Sequence, residues 1–454
     1  MKTQIITIIA LSIVIPLQAQ YSLDSCRKMA LINNAKIKNA GLELEAAIQT
    51  KKAAYTKYFP TITAMGSAFK SNSSLFDMNA NDVDIDVTFE NQSINDIIQT
   101  LYSNYGAYIP DATINMQMIK DGMLGGVTAL QPIYAGGRIA KGNQLAKLGM
   151  EAAQYKCNLA EDSVVLQTEV SYWLVVSLKE KLKTIATAEK LLDTLYKDVN
   201  GAYQSGVVLQ NDLLKIMLKQ NELRSKRLKA EDGIALATMS LCQYTGIPYD
   251  EKLQLTDSII FGDTVAAPYQ YRAAHNQALA NRDEYKLLNL KVQSEQIKKQ
   301  MLVGETMPQV AIGAGYLYNN LMEKNNTNGI IFSTVTIPVS GWWEASHNIK
   351  KQKIQQQIAE NNRKDINEKL LLQMQKAWNE CEQSYNQIIL SEQAMKVASQ
   401  NLKVATDYYR AGMSTLSEVL ESESLLRQCR NEYTEQFIEY KIYLTSYLQM
   451  VNNK

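Results

Sequence analysis

The sequence predicts a mainly α protein with four β-strands patterned for a membrane, built as two tandem copies of helix, strand, strand and very long helix. Three observations carry that prediction. They are an internal duplication, period-two strands next to prolines, and proline-free heptad stretches too long for a globular domain.

The duplication is exposed by two turn-like stretches, "QSGVVLQNDLLK" and "RAGMSTLSEVLESE". They superimpose at an offset of 206 residues, so that Tyr203 meets Tyr409, Gly206 meets Gly412, Asp212 meets Glu418 and Leu214 meets Leu420. The same offset joins Thr128 to Thr334 and Pro132 to Pro338, which leaves 74 residues from proline to turn glycine in each copy. Upstream, "ALINNAKI" matches "ALANRDEY", and Pro60 pairs with Pro308 at an offset of 248. The difference, 42 residues, is an insertion in the first copy between Pro60 and Pro132.

The elements follow in order. Residues 1–20 read as a secretory signal peptide, with Lys2, an apolar core from Ile5 to Ile15, and small residues in "LQAQ". That core is too short to span a membrane as a helix. A lipid anchor on Cys26 is disfavoured, because Asp24 stands where small apolar residues are wanted.

Repeat 1 covers residues 21–245, with strands at about 59–70 and 122–132, an acidic loop at 71–121, and long helices meeting at a tip turn, 200–208. A linker, 246–268, leads to repeat 2 at 269–454, with strands at about 308–319 and 329–338 and a tip turn at 409–414.

In "PQVAIGAGYLY" the residues Val310, Ile312, Ala314, Tyr316 and Tyr318 share one face, and Gln309, Ala311, Gly313 and Gly315 the other. A membrane barrel strand and a soluble sandwich strand both show this alternation. The faces of "GIIFSTVTIP" are not assigned by pattern.

Heptads run from Leu371 through Met374, Trp378, Cys381, Tyr385, Ile388, Glu392, Met395, Ser399, Leu402 and Thr406 to Tyr409. A second series runs from Leu209 to Tyr244 through Ile216, Leu223, Ala237 and Leu241. Both are imperfect coiled-coil seams. No proline interrupts residues 133–247 or follows Pro338, so a helix from about Arg138 to Asn200 reaches roughly 95 Å.

Composition excludes other classes. Without the signal, basic and acidic residues balance, which removes the electrostatic argument for nucleic acid. Five scattered cysteines (Cys26, Cys157, Cys242, Cys381, Cys429) show no metal-like spacing and read as free thiols. His275 and His347 have no catalytic or metal-ligand constellation around them, and no P-loop, GxSxG or HExxH pattern is present. The reading is of a protein that is not an enzyme and takes no cofactor or metal.

Four strands in a bilayer leave two edges with unsatisfied N–H and C=O groups, so membrane strands here require oligomerisation to close the sheet. The passage "QPIYAGG", the two turns and their ordering in two repeats resemble the TolC-type outer-membrane efflux channels over essentially the whole mature chain. The resemblance implies a homotrimer whose twelve-stranded β-barrel, four strands per chain, sits in outer-membrane lipid and continues as an α-helical coiled-coil tunnel across the periplasm. It further implies a passive exit duct for an efflux or type I secretion system, served by a periplasmic adaptor and an inner-membrane pump of RND or ABC type.

The resemblance also assigns residues. Glu418 and Glu421 match an acidic ring at the pore mouth, and three residues apart they share a helical face. Asp212 and Tyr409 match a polar pair that helps hold the tip closed, while Ser414 stands where the best-known relative has a bonding arginine. Gly206, Val207, Gly412 and Met413 mark the adaptor-docking tip turns. Pro132, Gly136, Gly137, Pro338 and Gly341 mark the barrel–tunnel joints, where Pro132 is expected to end ladder pairing; Trp342 and Trp343 are expected at the periplasmic membrane interface.

The loop, with Asp77, Asp82, Asp84, Asp86, Glu90, Asp96 and Asp111 and no Lys or Arg in 71–119, is expected to be extracellular and solvated. "DVDID" lacks the Gly and later Glu of a calcium loop. Two alternatives compete. A secreted coiled-coil structural protein does not account for strands at equal distances from each turn. A periplasmic adaptor is expected to carry one hairpin, not two tandem copies.

Overall fold

The computed structural model describes residues 20–72, 121–251, 253–261, 265–320 and 325–451. The signal segment to residue 19 and the acidic loop over 73–120 lie outside these residues. The chain divides into two units, the first formed by Met1–Lys52, Gln144–Lys298 and Lys351–Lys454, the second by Ala53–Asn143 and Lys299–Lys350.

The first unit is helical. Strand β1 (Gln20–Tyr21) and helix α1 (Leu23–Asn33) open it, and α1 is capped by Ser22 Oγ, which accepts from Ser25 N at 3.2 Å. Cys26 and Ala30 are buried on α1, so Cys26 is a core thiol within a helix. Arg27 pairs with Asp24 at 2.9 Å and with the buried Glu169. α2 (Ala35–Tyr55) follows.

Helix α3 (Arg138–Gln204, 67 residues) returns through α4 (Gln210–Thr245), and α7 (Gly341–Arg410, 70 residues) returns through α8 (Leu416–Met450). The longer members reach about 100 Å at 1.5 Å per residue. The last carbonyls of α4 find donors from the chain's start: Asn33 Nδ2 donates to Thr245 O at 3.1 Å and Asn34 Nδ2 to Tyr244 O at 3.0 Å.

The linker packs against this helical core rather than looping away. Its strand β4 (Gln254–Leu255) pairs in parallel with β1, Leu253 and Ile259 are buried, and Tyr172 OH donates to Asp257 at 2.5 Å. Helices α5 (His275–Asn281, 7 residues) and α6 (Asp283–Glu305, 23 residues) follow the linker.

The heptad seams hold in part. Met374, Trp378, Cys381 and Ile388 are buried on α7, but the other edge of the seam is Leu370, Ala377, Ser384, Ser391 and Ala398, each one residue before the patterned Leu371, Trp378, Tyr385, Glu392 and Ser399. The period of seven is kept throughout, and only this flanking position moves by one residue. Four cysteines, Cys26, Cys242, Cys381 and Cys429, are buried thiols, and Cys157 is partly so.

One polar knot joins α6 to α7. Glu295, 6% exposed, pairs with Lys291 at 2.7 Å and Lys298 at 3.0 Å and accepts from Gln352 Nε2 at 2.6 Å. Burial pushes its pKa up, but these bonds outweigh it and hold the carboxyl at about 2. A depressed carboxylate contributes stability above its ordinary pKa and loses it as the pH falls through the folded value. The thermal midpoint is therefore expected to drop as the pH is lowered from about 4.5 to about 2, and Glu295→Gln to flatten that dependence.

The second unit is a four-stranded antiparallel sheet in the order β2-β3-β5-β6, from β2 (Thr61–Lys70), β3 (Asp121–Ala135), β5 (Gln309–Asn320) and β6 (Asn326–Thr336). Register pairs Thr61 with Leu130, Ala135 with Gln309, and Gln309 with Thr336, so every helix-bearing strand end lies at one end of the sheet.

One expectation is corrected here: Pro132 does not end the ladder. Pairing with β2 stops at Leu130, but pairing with β5 continues through Pro132–Ala311 and, past an irregularity, to Ala135. A bulge absorbs the missing N–H, which is where sheets tolerate proline.

Candidate functional site

Two places merit attention: the tip turns of the first unit and the strand-to-helix joints of the second. Both tips are built alike. Gly206 N donates to Tyr203 O at 2.9 Å and Val207 N to Ala202 O at 2.8 Å; Gly412 N donates to Tyr409 O at 3.0 Å and Met413 N to Tyr408 O at 2.8 Å. This paired pattern is a Schellman cap, and it requires the left-handed backbone that Gly206 (φ 74°) and Gly412 (φ 73°) adopt. Each turn then presents apolar side chains to solvent, with Val207 76% and Met413 68% exposed.

Beyond the turns the copies differ. α8 begins with Thr415, whose Oγ1 accepts from Glu418 N at 3.4 Å and donates to Glu418 Oε1 at 3.1 Å. The sequence signal was a Thr-x-x-Glu capping box, and it gives Glu418 a structural part in starting α8. In the first copy Leu209 stands at the equivalent N-cap and offers no side-chain bond. Its extended backbone (φ −82°, ψ 150°) suits a capping hydroxyl, so Leu209→Thr is expected to raise stability by about 1 kcal/mol, read as a higher unfolding midpoint.

Glu418 and Glu421 are both exposed and line one shallow groove with Asn401, Tyr408, Ser414 and Leu425. Ser414 Oγ donates to Ala405 O at 3.3 Å, a bond within its own helix pair. In the first copy the equivalent positions are Asp212 and Lys215, so only the second copy presents two acids.

Lys215 Nζ lies 3.4 Å from Asp212 Oδ1 and donates to Ser417 Oγ at 3.1 Å, tying α4 to α8; pattern reasoning missed this link. Tyr409 packs beside the apolar tip cluster formed by Leu192, Leu195, Ile216, Leu416 and Val419. Burial raises its phenol pKa, and the charges of Asp212 and Asp198 add to that. Among the described residues, Tyr409 and Asp212 share no hydrogen bond; the structure makes them electrostatic neighbours.

The two joints also differ. After Ala135 the chain turns at Gly136 (φ 60°) and Gly137 (φ 75°) into α3. Gly136 and Gly304, near the end of α6, touch backbone to backbone: a Cβ on either would overlap the other's carbonyl. At the second joint Pro338 and Gly341 form a turn closed by Gly341 N donating to Pro338 O at 3.1 Å. Trp342 Nε1 donates to Thr306 O at 3.0 Å, and Trp343 is 76% exposed.

Residues 274–437 match the family profile described as outer membrane efflux protein. No curated protein is significantly similar in sequence. Three solved structures share the fold across nearly the whole chain. The outer membrane protein VceC of Vibrio cholerae is 15% identical, with a TM-score of 0.73, covering 94% of this chain and 95% of its own. CusC, described by its transmembrane channel formation, is 14% identical with a TM-score of 0.75 over 94% of this chain and 91% of its own. The CmeC outer membrane channel of Campylobacter jejuni is 14% identical with a TM-score of 0.75, covering 94% and 85%.

Proposed function

We propose that this chain, whose residues 274–437 match the outer membrane efflux protein profile and whose fold follows VceC, CusC and CmeC over nearly its whole length, is the exit duct of a tripartite efflux or type I secretion system. It conducts passively what an inner-membrane pump of RND or ABC type and a periplasmic adaptor deliver. It is an outer-membrane channel with a large periplasmic portion, not an enzyme.

The observation that carries the proposal is the sheet. Its two outer strands, β2 and β6, pair on one side only among the described residues, and no charged residue occurs in 61–69, 122–137, 309–320 or 325–340. A sheet with two open edges, whose only charges are the paired Lys70 and Asp121 at the end away from the helices, is satisfied in a bilayer by closing with further copies, and three copies give twelve strands.

Each strand pair then feeds helices long enough to continue as a tunnel. At the tip turns the exposed Val207 and Met413 offer the adaptor an apolar foothold on two matching turns. In a trimer Glu418 and Glu421 bring six carboxylates towards the axis, which favours cations at the mouth. The Lys215–Ser417 bond ties α4 to α8, and Tyr409 with its electrostatic neighbour Asp212 lies beside it at the tip, where together they resist opening.

Planar-bilayer recording tests this. The wild-type channel is expected to prefer cations, Glu418→Gln with Glu421→Gln to lose that preference, and Tyr409→Phe with Asp212→Ala to raise single-channel conductance. Release of the protein from membranes by salt alone, without detergent, overturns the reading in favour of a secreted coiled-coil or adaptor protein.

A further inference from the structure

The helix segments next to the strands carry an unbalanced charge. Residues 46–60, 138–150, 296–308 and 341–353 together hold eleven Lys or Arg and two acids, Glu305 and Glu344, in a chain of formal net charge +1; Lys147 and Lys298 pair with Glu151 and Glu295 just beyond these segments. Glu305 is paired with Arg138 at 3.4 Å.

Within the second unit, Lys57, Lys141, Lys299 and Lys350 all flank the same end of the sheet. They stand between four and fourteen residues from Thr61, Ala135, Gln309 and Thr336, within about 15 Å along a helix for those on helices. Lys57 and Lys350 are exposed, and Lys141 and Lys299 partly so. A second observation lies between these lysines and the strands: Tyr58, Phe59 and Trp343 are 43%, 55% and 76% exposed. Charge-free strand ends, then aromatic rings, then ammonium groups is the order in which a bilayer passes from hydrocarbon through the interface to phosphate.

We propose that Lys57, Lys141, Lys299 and Lys350 form a collar that binds anionic phospholipid headgroups of the periplasm-facing leaflet, fixing the depth at which the sheet sits. The proposal rests on the membrane placement of the sheet argued above. Lysine suits the task, because its flexible stem lets the ammonium reach phosphates while its methylenes lie along the interface. A solvated helix face does not require the rings or the abrupt change in charge.

The test uses the full chain purified in mild detergent, with co-purified lipid measured by mass spectrometry. A variant with Lys57, Lys141, Lys299 and Lys350 each changed to Gln is compared with one carrying Gln at four exposed lysines of the first unit, Lys190, Lys197, Lys376 and Lys403. At about fivefold per lysine near an anionic surface, the first is expected to retain phosphatidylglycerol on the order of tenfold or more below the second. Changing the same four to Arg is expected to restore it.

Equal phosphatidylglycerol in the two Gln variants overturns the proposal, as does a collar selective for lipid A, which belongs to the opposite leaflet. Failure of the collar leaves detergent dependence and conductance unchanged, whereas failure of the channel reading removes both.

Discussion

Gly136→Ala is expected to destabilise the protein by about 3–5 kcal/mol, from left-handed backbone strain of about 1–2 kcal/mol and a larger penalty for overlap. The overlap is severe because the new Cβ meets the carbonyl of Gly304, a backbone group that cannot rotate away. Gly137→Ala isolates the strain, since Gly137 (φ 75°) has open space where a Cβ would stand, and about 1 kcal/mol is expected. Detergent-resistant assembly on gels and the thermal midpoint report both variants. Equal effects would show that the close approach to Gly304 does not control the joint.

Arg427→Met is expected to cost about 3–5 kcal/mol, because it strands the buried carboxylate of Glu423. Arg427 Nε donates to Glu423 Oε1 at 3.2 Å and its Nη2 to Ser424 Oγ at 3.0 Å, with Glu423 3% and Arg427 8% exposed. Around them Leu426, Cys429 and Ala398 are apolar. Changing both partners together, Glu423→Leu with Arg427→Met, is expected to be near neutral, since two desolvated charges vanish with their mutual attraction. Thermal melts of the single and double variants form the cycle. A double variant as unstable as the single would show that the pair sets the register of α7 against α8 instead.

These two predictions come from sites that differed in how visible they were. Gly136 and Gly137 stood out in the sequence as a glycine pair after a strand, but the reason for the first lies at Gly304, distant in sequence. Glu423 and Arg427 look like an ordinary solvent-facing i, i+4 pair, and only the packing of α8 buries them. The opposite held at Glu418: the Thr-x-x-Glu signal was present locally and was read only for its acid.

Pro132 marks another boundary of pattern reasoning. A proline forbids one hydrogen bond, but whether the strand ends or bulges depends on its neighbour, and β5 continues while β2 does not. The α7 seam has the same origin, since the partner helices cover Leu370, Ala377, Ser384, Ser391 and Ala398, one residue before the positions that the pattern alone selects.

By itself the sequence determined the duplication, the length of the helices, the period-two strands and the two matching turn glycines. Each of these is local: period, proline absence and φ preference are properties of consecutive residues. The tertiary structure alone decided the strand order β2-β3-β5-β6, the burial of Glu423 and Arg427, the Gly136–Gly304 contact and the Lys215–Ser417 tie. Each of those depends on which surfaces meet after the chain has closed loops of many residues, and neither propensity nor periodicity carries that information.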